Sequence, residues 1–434
     1  MVTREDNDLL TRVEGDWPMG GIMRRHWLPA CLSEEVAEPD GAPVRTRMLG
    51  EDLVVFRDTK GRLGILGERC LHRRASLAFG RNEECGLRCL YHGWKFDVDG
   101  NILDQACEPE GGRLKVDRKQ KSYPARESGG FVWAYMGPED EFREFEPPNW
   151  ADALAARISI VKMHVACNWA QVLEGSIDSA HSSSLHSSVM PSMDVDGAKA
   201  TGEYWPRPST DKAPRMQFQL TSFGFRYAAI RKPIQNASTH DYVRVTLFVA
   251  PFTVIIPPND QYKMAQMLFP IDDENTMFYW VAWHETKGIA QDEWRKFCAA
   301  EIGVDLDRDF RKVRTLENRF LQDRAAMKRG DFTGIKGIPA QDMAMWESMG
   351  PITDRSEDNL GASDIAVIQF RRQMIAAAKR FRDGGPAIGT AEPRISRANL
   401  SSFEGIVPKS TNWRTLGVSA EELALAQRAD TPAA

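Results

Sequence analysis

Two cysteines and two histidines, grouped in two short loops, constrain this chain more than any other feature of its sequence. Cys70 and His72 are separated by one residue, Cys89 and His92 by two, and sixteen residues lie between the pairs. Thiolates and imidazoles that meet from two loops form the donor set of a metal site. The fold is therefore expected to hold both loops against each other.

The order of the donors bears on which metal they hold. Structural zinc accepts two cysteines and two histidines, so zinc is one interpretation. Zinc fingers usually present a cysteine pair and then a histidine pair, whereas each loop here supplies one of each. That arrangement suits a two-iron cluster, with Cys70 and Cys89 on one iron and His72 and His92 on the other. Cys85, between the loops, is expected to be a free thiol in the core.

The two loops resemble the Rieske [2Fe-2S] motif, in which two histidines replace two cysteines on one iron. The adjoining HRR and YHGW segments extend the resemblance. Respiratory Rieske proteins carry a further cysteine in each loop, and these two cysteines form a disulfide across the cluster. Neither loop has one here, so the resemblance implies the oxygenase or ferredoxin type.

The Rieske motif accounts for only part of the chain. A stand-alone Rieske ferredoxin needs only about 100 residues, and this chain has 434. An acidic stretch with a proline pair, MGPEDEFREFEPPNW, suggests a domain boundary. We predict a small antiparallel β Rieske [2Fe-2S] domain at 27–140. A catalytic domain is predicted from 1–26 and 141–434, with a polar tail from about residue 384.

A second group of metal donors lies in NWAQVLEGSIDSAHSSSLH, residues 168–186. On a continuous helix Glu174, Asp178 and His181 would share one face. His186 follows five residues after His181, about 140° round an ideal helix, so the helix must loosen or end through the serines between them. Two histidines and a carboxylate form the facial triad of non-haem Fe(II). A capped helix end or a pair of core histidines is the alternative.

This stretch resembles the mononuclear-iron motif of Rieske non-haem iron ring-hydroxylating oxygenase α subunits, Asp-x-x-His-x(4)-His. The resemblance implies that His181 and His186 bind Fe(II). It also implies that Asp178 hydrogen-bonds a cluster histidine of the neighbouring subunit and carries electrons between the sites. A head-to-tail homotrimer, or a stacked double trimer, follows from the same resemblance.

The third iron ligand implied by the resemblance is Asp342, in QDMAMWESMGPITDR. In the family this ligand begins a late helix in a Gln-Asp or Glu-Asp pair. The alternative is a negative charge favoured at a helix N-terminus by the helix dipole. Asp323 and Asp354 each belong to an Asp-Arg pair and fit salt-bridged surface groups better.

The remaining chain predicts an α+β fold. The segments 216–230, 242–258 and 262–284 predict strands, the last with a hairpin turn at DDEN. DIAVIQFRRQMIAAAKRF has apolar residues at helical spacing and should pack against the sheet. The resemblance implies a helix-grip (START-like) catalytic domain, with an antiparallel sheet and C-terminal helices.

Within the family the resemblance is strongest to the phthalate 4,5-dioxygenase branch and runs along nearly the whole chain, for example in YHGWKFDVDGN and FTGIKGIPAQDM. It implies an oxygenase component that cis-dihydroxylates an aromatic carboxylate, with phthalate, converted to its 4,5-cis-dihydrodiol, as the expected substrate. O2 and electrons from a separate NAD(P)H-dependent flavin and [2Fe-2S] reductase are implied as well. The alternatives are a Rieske monooxygenase, O-demethylating or ether-cleaving, and a non-catalytic Rieske electron carrier.

A dianionic substrate calls for guanidinium groups, which bind carboxylates bidentately. On the predicted strand YVRVTLFV, Arg244 should point to the same side as Tyr242 and Thr246. Arg207 lies in a loop that could cap a cavity, and Ser179 adjoins Asp178. We expect Arg207, Arg244 and Ser179 to contact substrate; Arg226 and Arg231 are competitors, and solvent-facing charge is the alternative for each arginine.

Charge and composition exclude several function classes. A net charge of -5 and a pI near 6.0 give no electrostatic basis for binding nucleic acid or an anionic membrane. No apolar run long enough to span a bilayer occurs, and the N-terminus lacks a secretion-signal pattern. An odd number of cysteines, seven, fits reduced thiols. We therefore expect a cytoplasmic location.

Overall fold

The computed structural model describes five stretches of the chain: residues 2–109, 118–194, 205–257, 262–390 and 395–419. The chain divides into two compact units. The smaller unit is Val13–Pro147, and the larger unit combines Met1–Arg12 with Pro148–Ala434. This division groups residues 13–26 with the smaller unit, and the domain limits expected from the sequence stay predictions.

The described residues form seven α-helices: α1 (Arg4–Thr11), α2 (Pro18–Arg24), α3 (Trp169–Ile177), α4 (Gln291–Phe297), α5 (Arg324–Lys328), α6 (Ile338–Ser348) and α7 (Ile365–Arg382). In the part of the chain that the structure describes, none of them combines the length and apolar character that a bilayer crossing requires.

The smaller unit is built from short antiparallel strands: β1 (Trp27–Leu32), β2 (Val44–Met48), β3 (Glu51–Arg57), β4 (Leu63–Gly67), β5 (Arg81–Glu83), β6 (Gly86–Arg88), β7 (Trp94–Phe96), β8 (Ile102–Gln105), β9 (Ser122–Tyr123), β10 (Ala125–Ser128) and β11 (Phe131–Tyr135). They form three sheets, in the orders β1-β11-β10, β2-β3-β4-β9 and β5-β6-β7-β8. Apolar side chains from the last two sheets share one buried cluster, which includes Cys70 and Cys89.

The larger unit contains one antiparallel sheet of eight strands: β12 (Ile158–Val165), β13 (Arg215–Thr221), β14 (Gly224–Arg231), β15 (His240–Val249), β16 (Thr253–Ile256), β17 (Lys263–Pro270), β18 (Thr276–Trp283) and β19 (Phe403–Pro408). Its order is β12-β18-β17-β16-β15-β14-β13, and β19 pairs with β15. The predicted strands and the turn between β17 and β18 are confirmed, and so is the α+β class.

Helices cover one face of this sheet. The apolar side of α7 is buried, and the ring of Phe370 meets both Trp169 of α3 and Phe248 of β15. α3 packs on β16 and β17 and also contacts α6 and α7. The sheet therefore holds α3, whose C-terminal end leads into the predicted iron motif, in a fixed place.

The sequence predicted a polar tail from about residue 384. In the structure, part of this segment belongs to the folded core instead. β19 runs antiparallel along β15, with Glu404 opposite Arg244, and Leu400 and Trp413 are buried in the apolar core behind β15. This segment is polar on average, so its composition gave no indication of the short, more apolar strand β19 that joins the sheet. Residues 420–434 of the expected tail lie outside the described residues.

Candidate metal centres and active-site pocket

The helix that carries the second motif ends earlier than expected. Asn168 caps α3 by accepting a hydrogen bond from the Ala170 N–H, and the helix stops at Ile177. Asp178 has extended dihedral angles, and its carboxylate accepts the Ala180 N–H at 2.7 Å. This local bond competes with helix continuation. The expectation that Glu174, Asp178 and His181 share one helical face is therefore wrong.

Glu174 lies away from the pocket in a buried ion network. Its carboxylate accepts hydrogen bonds from Arg355 at 2.7 Å and from Arg371 at 2.9 Å. Burial alone would raise the pKa of Glu174, but the two guanidinium groups lower it below its usual value. Glu174 thus ties α3 to the chain around residue 355 and to α7.

The structure brings His181, His186 and Asp342 together. The Nε2 atoms of the two histidines lie 3.2 Å apart. Oδ1 of Asp342 lies 3.4 Å from the first of these atoms and 3.0 Å from the second. One donor atom from each residue falls within 4.8 Å of the others. The loop after α3 and helix α6 thus aim two imidazole nitrogens and a carboxylate oxygen at one point.

This donor set fits a mononuclear iron. Oδ1 of Asp342 is buried and receives no hydrogen bond from the described residues, although a buried polar atom is normally paired. Two histidines and one carboxylate are the ligands that non-haem Fe(II) uses while leaving coordination positions open. His181, His186 and Asp342 would therefore hold the metal.

Asp342 does not begin its helix, contrary to the expectation taken from the family. α6 starts at Ile338, after Gly337 with φ 85°, so Asp342 lies more than one turn inside the helix. A charge placed to favour the helix N-terminus would sit in the first turn. Asp323, by contrast, caps α5 and is exposed, as expected for a surface group.

Gln341 is a site residue that was not predicted from the sequence. Its Oε1 lies 2.8 Å from Nδ1 of His186, and its Nε2 donates to the backbone carbonyl of Ile335 at 2.9 Å. Such a partner fixes the orientation of a ligating imidazole. The sequence does contain a signal for this role, because Gln341 is the first residue of the Gln-Asp pair that identified Asp342.

Asp178 occupies the other side of His181. Its Oδ2 lies 3.4 Å from Nδ1 of His181, the ring nitrogen opposite the one that faces Asp342. Burial raises the pKa of Asp178, but hydrogen bonding and charge from His181 lower it overall. Burial lowers the pKa of His181, but Asp178 and Asp342 raise it overall. The carboxylate thus orients the ring and remains ionised.

A pocket opens beside these donors. Its lining includes the three metal donors His181, His186 and Asp342, several aromatic side chains, and also Arg207, Arg244 and Ser179. Arg244 and Thr246 both face the pocket, as side-chain alternation along β15 predicts. The walls include Trp205, Trp280 and Trp346.

Arg207 is buried without a carboxylate partner among the described residues. Its Nη2 donates to Ser182 Oγ at 2.6 Å, and its Nε is buried and makes no hydrogen bond there. Burial, followed by repulsion from Arg244 and Arg231, lowers the pKa of Arg207 to about 9. A guanidinium held this way is a ready anion-binding group.

Arg226 and Arg231, the alternative candidates for substrate binding, lie on opposite faces of β14. Arg231 is 1% exposed, and its Nη2 donates to the backbone carbonyl of Ser179 at 2.8 Å. Its other two side-chain nitrogens, Nε and Nη1, are buried and make no hydrogen bond with the described residues. Arg226 instead packs over the ring of Trp413, 5.8 Å from its centroid. Arg231 does not line the pocket itself but lies behind its wall, bonded to the lining residue Ser179, whereas Arg226 packs on the other face of the strand.

The predicted cluster ligands meet in the smaller unit. Cys70 and His72 follow β4, and Cys89 and His92 connect β6 to β7. The ring centroids of His72 and His92 are 4.6 Å apart, and Nδ1 of His92 is buried and makes no hydrogen bond with the described residues. Burial, together with the neighbouring Cys89, raises the pKa of Cys70 to about 11. Two buried thiols and two adjacent imidazoles fit a [2Fe-2S] cluster.

Two further residues define these loops. Gln120 braces the first loop, because its Oε1 accepts the Leu71 N–H at 2.7 Å and its Nε2 donates to the Gly67 carbonyl at 2.6 Å. Cys85 is not in the core, contrary to expectation. It is partly exposed, with φ 62°, in the turn between β5 and β6, where the chain reverses at the surface.

Comparisons with known proteins cover most of the chain. Two family models match it, "Rieske [2Fe-2S] domain" over residues 26–124 and "LigXa C-terminal domain like" over residues 134–434. The phthalate 4,5-dioxygenase oxygenase subunit of Pseudomonas putida is 58% identical over 415 residues, covering 95% of this chain and 94% of that protein.

The 3-chlorobenzoate-3,4-dioxygenase oxygenase subunit of Comamonas testosteroni is 34% identical, covering 96% of this chain and 98% of that protein. Among solved structures, the NdmA QL mutant of Pseudomonas putida CBB5 with caffeine aligns with a TM-score of 0.58 at 17% identity. That alignment covers 84% of this chain and 93% of the other. This structural likeness confirms the fold expected from the sequence.

Proposed function

This chain belongs to the Rieske non-haem iron oxygenases, and from that premise we propose that it is the oxygenase component of a phthalate 4,5-dioxygenase. The family makes it an oxidoreductase that uses a Rieske [2Fe-2S] cluster and a mononuclear iron, and that works with O2 and a separate reductase. The proposed reaction joins phthalate, O2, two electrons and two protons to give the 4,5-cis-dihydrodiol.

One observation carries the substrate proposal. The pocket lining combines three clustered metal donors with two buried arginines. A neutral ring would leave the buried guanidinium of Arg207 without an anionic partner, at a cost in free energy, and a monoanion would offset only part of the positive charge. An aromatic dicarboxylate supplies the missing acceptors while its ring contacts the tryptophan walls.

Each side chain of the proposed sites has a distinct task. Cys70, Cys89, His72 and His92 would hold the cluster, and His181, His186 and Asp342 would hold the iron. Iron held by these residues would supply the activation of O2. Asp178 orients His181, and we assign it the electron path from a cluster histidine of a neighbouring subunit.

The substrate contacts are assigned to Arg207, Arg244 and Ser179. Arg207 offers the unpaired Nε described above, and Arg244 faces the same pocket from β15. Ser179, beside the bridging carboxylate, offers a hydroxyl at the pocket wall. Two guanidinium groups from separate elements can each take one carboxylate of an ortho diacid.

The bridging role of Asp178 requires more than one copy of the chain. We propose a homotrimer, alone or stacked as a double trimer, in which each cluster serves the iron of the next subunit. We also propose a cytoplasmic location, since the described cysteines are all unpaired thiols and the reductant, NAD(P)H, is intracellular.

A single turnover tests the proposal. The iron-replete protein is reduced anaerobically, mixed with phthalate and labelled O2, and the product is analysed by mass spectrometry. Two labelled oxygens in a dihydrodiol are expected. One labelled oxygen would identify a monooxygenase instead, and an oxidised cluster with no product from phthalate would rule phthalate out as substrate.

A further inference from the structure

The arginines at the pocket wall and directly behind it do not all have the same charge environment. Arg207, Arg231 and Arg244 are 5%, 1% and 8% exposed, respectively. Repulsion among them lowers the pKa of Arg207 and Arg231, after the effect of burial itself. Arg244 differs, because Glu404 raises its pKa against the effect of burial.

Glu404 reaches Arg244 from β19. The two residues are directly opposed in the antiparallel pairing of β15 with β19, and Glu404 Oε1 lies 2.7 Å from Arg244 Nη1. The side chain of Glu404 is completely buried, and the Tyr242 hydroxyl donates to the same oxygen. The carboxylate is therefore held in place and only weakly screened by water.

The charges at and directly behind the pocket wall can be counted. Arg207 and Arg244 line the pocket, Arg231 lies behind the wall at Ser179, and Glu404 cancels one of these three positive charges. Beside the metal site, the negative charges of Asp178 and Asp342 would balance those of a divalent iron. Asp211, the remaining carboxylate that acts on Arg231, is partly exposed and has the smallest effect. Two positive charges remain uncompensated.

We propose that Glu404 is a specificity-determining residue that limits the pocket to two spare positive charges, matching it to dianionic aromatic dicarboxylates. This inference rests on the proposed function only in that the pocket binds aromatic carboxylates. Glu404 acts through Arg244 and the pocket potential without touching the substrate. The dihydrodiol product keeps both carboxylates and therefore the same double negative charge as the substrate. Because the pocket has only two spare positive charges, it does not hold this product too tightly for release.

The test compares ligands of different charge on the iron-loaded full-length protein. Dissociation constants for benzoate, phthalate, isophthalate and terephthalate are measured by calorimetry at about pH 8, where all their carboxyl groups are ionised. In wild type a dianion should bind more tightly than benzoate. Glu404→Gln keeps an acceptor for Arg244 and Tyr242 but adds one spare positive charge, so the preference for dianion over benzoate should grow by at least about tenfold.

Two further variants control for structural damage. Glu404→Asp keeps the charge and should keep the wild-type preference within about twofold. Arg231→Gln should reduce the preference, and the double variant Arg231→Gln/Glu404→Gln, which loses one charge of each sign, should restore it. This pair tests the charge count even if Glu404→Gln alone does not fold, which thermal melting would reveal.

The outcomes separate this inference from the proposed substrate. If wild type prefers isophthalate or terephthalate to benzoate and does not bind phthalate, the proposed substrate is wrong and the charge-limiting role stands. If Glu404→Gln weakens all ligands by one common factor, or the double variant does not restore the preference, the role is overturned. It is also overturned if wild type binds benzoate as tightly as the dianions.

Discussion

The ring of His186 is constrained at both of its nitrogens. Nε2 faces Asp342 and His181, while Nδ1 meets Gln341. If these groups hold iron, His186→Ala should abolish oxygenation of phthalate while leaving the visible and electron paramagnetic resonance spectra of the Rieske cluster unchanged. Single-turnover product analysis and cluster spectroscopy on one preparation measure both. Product formation at the wild-type level would refute the assigned site.

Gln341 should matter through the orientation it imposes on His186. Gln341→Leu removes the acceptor and leaves the volume nearly unchanged, so we expect ferrous iron to bind about 10- to 100-fold more weakly. Titration of the iron-free protein with Fe(II) measures the affinity. Met345→Leu, an exposed position on the same helix, is the control and should bind iron as wild type does. Equal affinities in both variants would mean that Gln341 does not position the ligand.

At the scale of elements, β19 and the chain around it are part of the core of the larger unit. Leu400 is 3% exposed and packs in the apolar cluster behind β15. Leu400→Ala should lower the free energy of unfolding of the larger unit by about 2–5 kcal/mol, because it removes buried apolar contacts and leaves a cavity.

Urea unfolding monitored by tryptophan fluorescence measures this loss. Leu360→Ala, at a position 40% exposed, is the matched control and should change stability by less than about 0.5 kcal/mol. A Leu400→Ala protein as stable as the control would show that this segment adds nothing to the core.

The break after α3 is the second decisive element. Had the helix continued through Asp178, His181 and His186 would project in different directions. The Asp178 bond to the Ala180 N–H ends the helix, and the single turn His181–Ser183 then turns the chain towards α6. The same residue therefore shapes the loop and orients a predicted iron ligand.

At the scale of the whole assembly, the proposed electron path can be tested by complementation. His72→Ala should remove the cluster, and His186→Ala the iron. Each variant alone should be inactive. If the chain forms the proposed trimer, assemblies of both variants made by co-expression should recover activity, because an intact cluster would then adjoin an intact iron site in the next subunit. Phthalate consumption by the mixed assembly, with the reductase present, measures the recovery.

A second mixture provides the control. Co-expressed Asp178→Asn and His186→Ala subunits should stay inactive, since the only intact iron would lack its own bridging carboxylate. Recovery in this mixture would show that Asp178 is not on the path. No recovery in the first mixture, in assemblies shown to contain both variants, would place electron transfer within one chain.

Much of the chemistry could be read from local sequence. The spacing of Cys70, His72, Cys89 and His92, and of His181 and His186, is written within short stretches, and so are the strands with alternating side chains. The side of β15 that Arg244 faces followed from period-two alternation. Residues so close together in the chain can take only a few relative positions in space, because the backbone links them directly.

Other features depended on contacts between distant parts of the chain. No motif or side-chain alternation in the sequence links Glu404 to Arg244. The pairing of strands β15 and β19 brings them together. Arg231 comes to lie behind the pocket wall only through its contact with the loop at Ser179. The sequence by itself thus determined which metals and which reaction class the chain supports. The tertiary structure decided which buried charges face the pocket, because their compensation depends on side chains that only packing brings together.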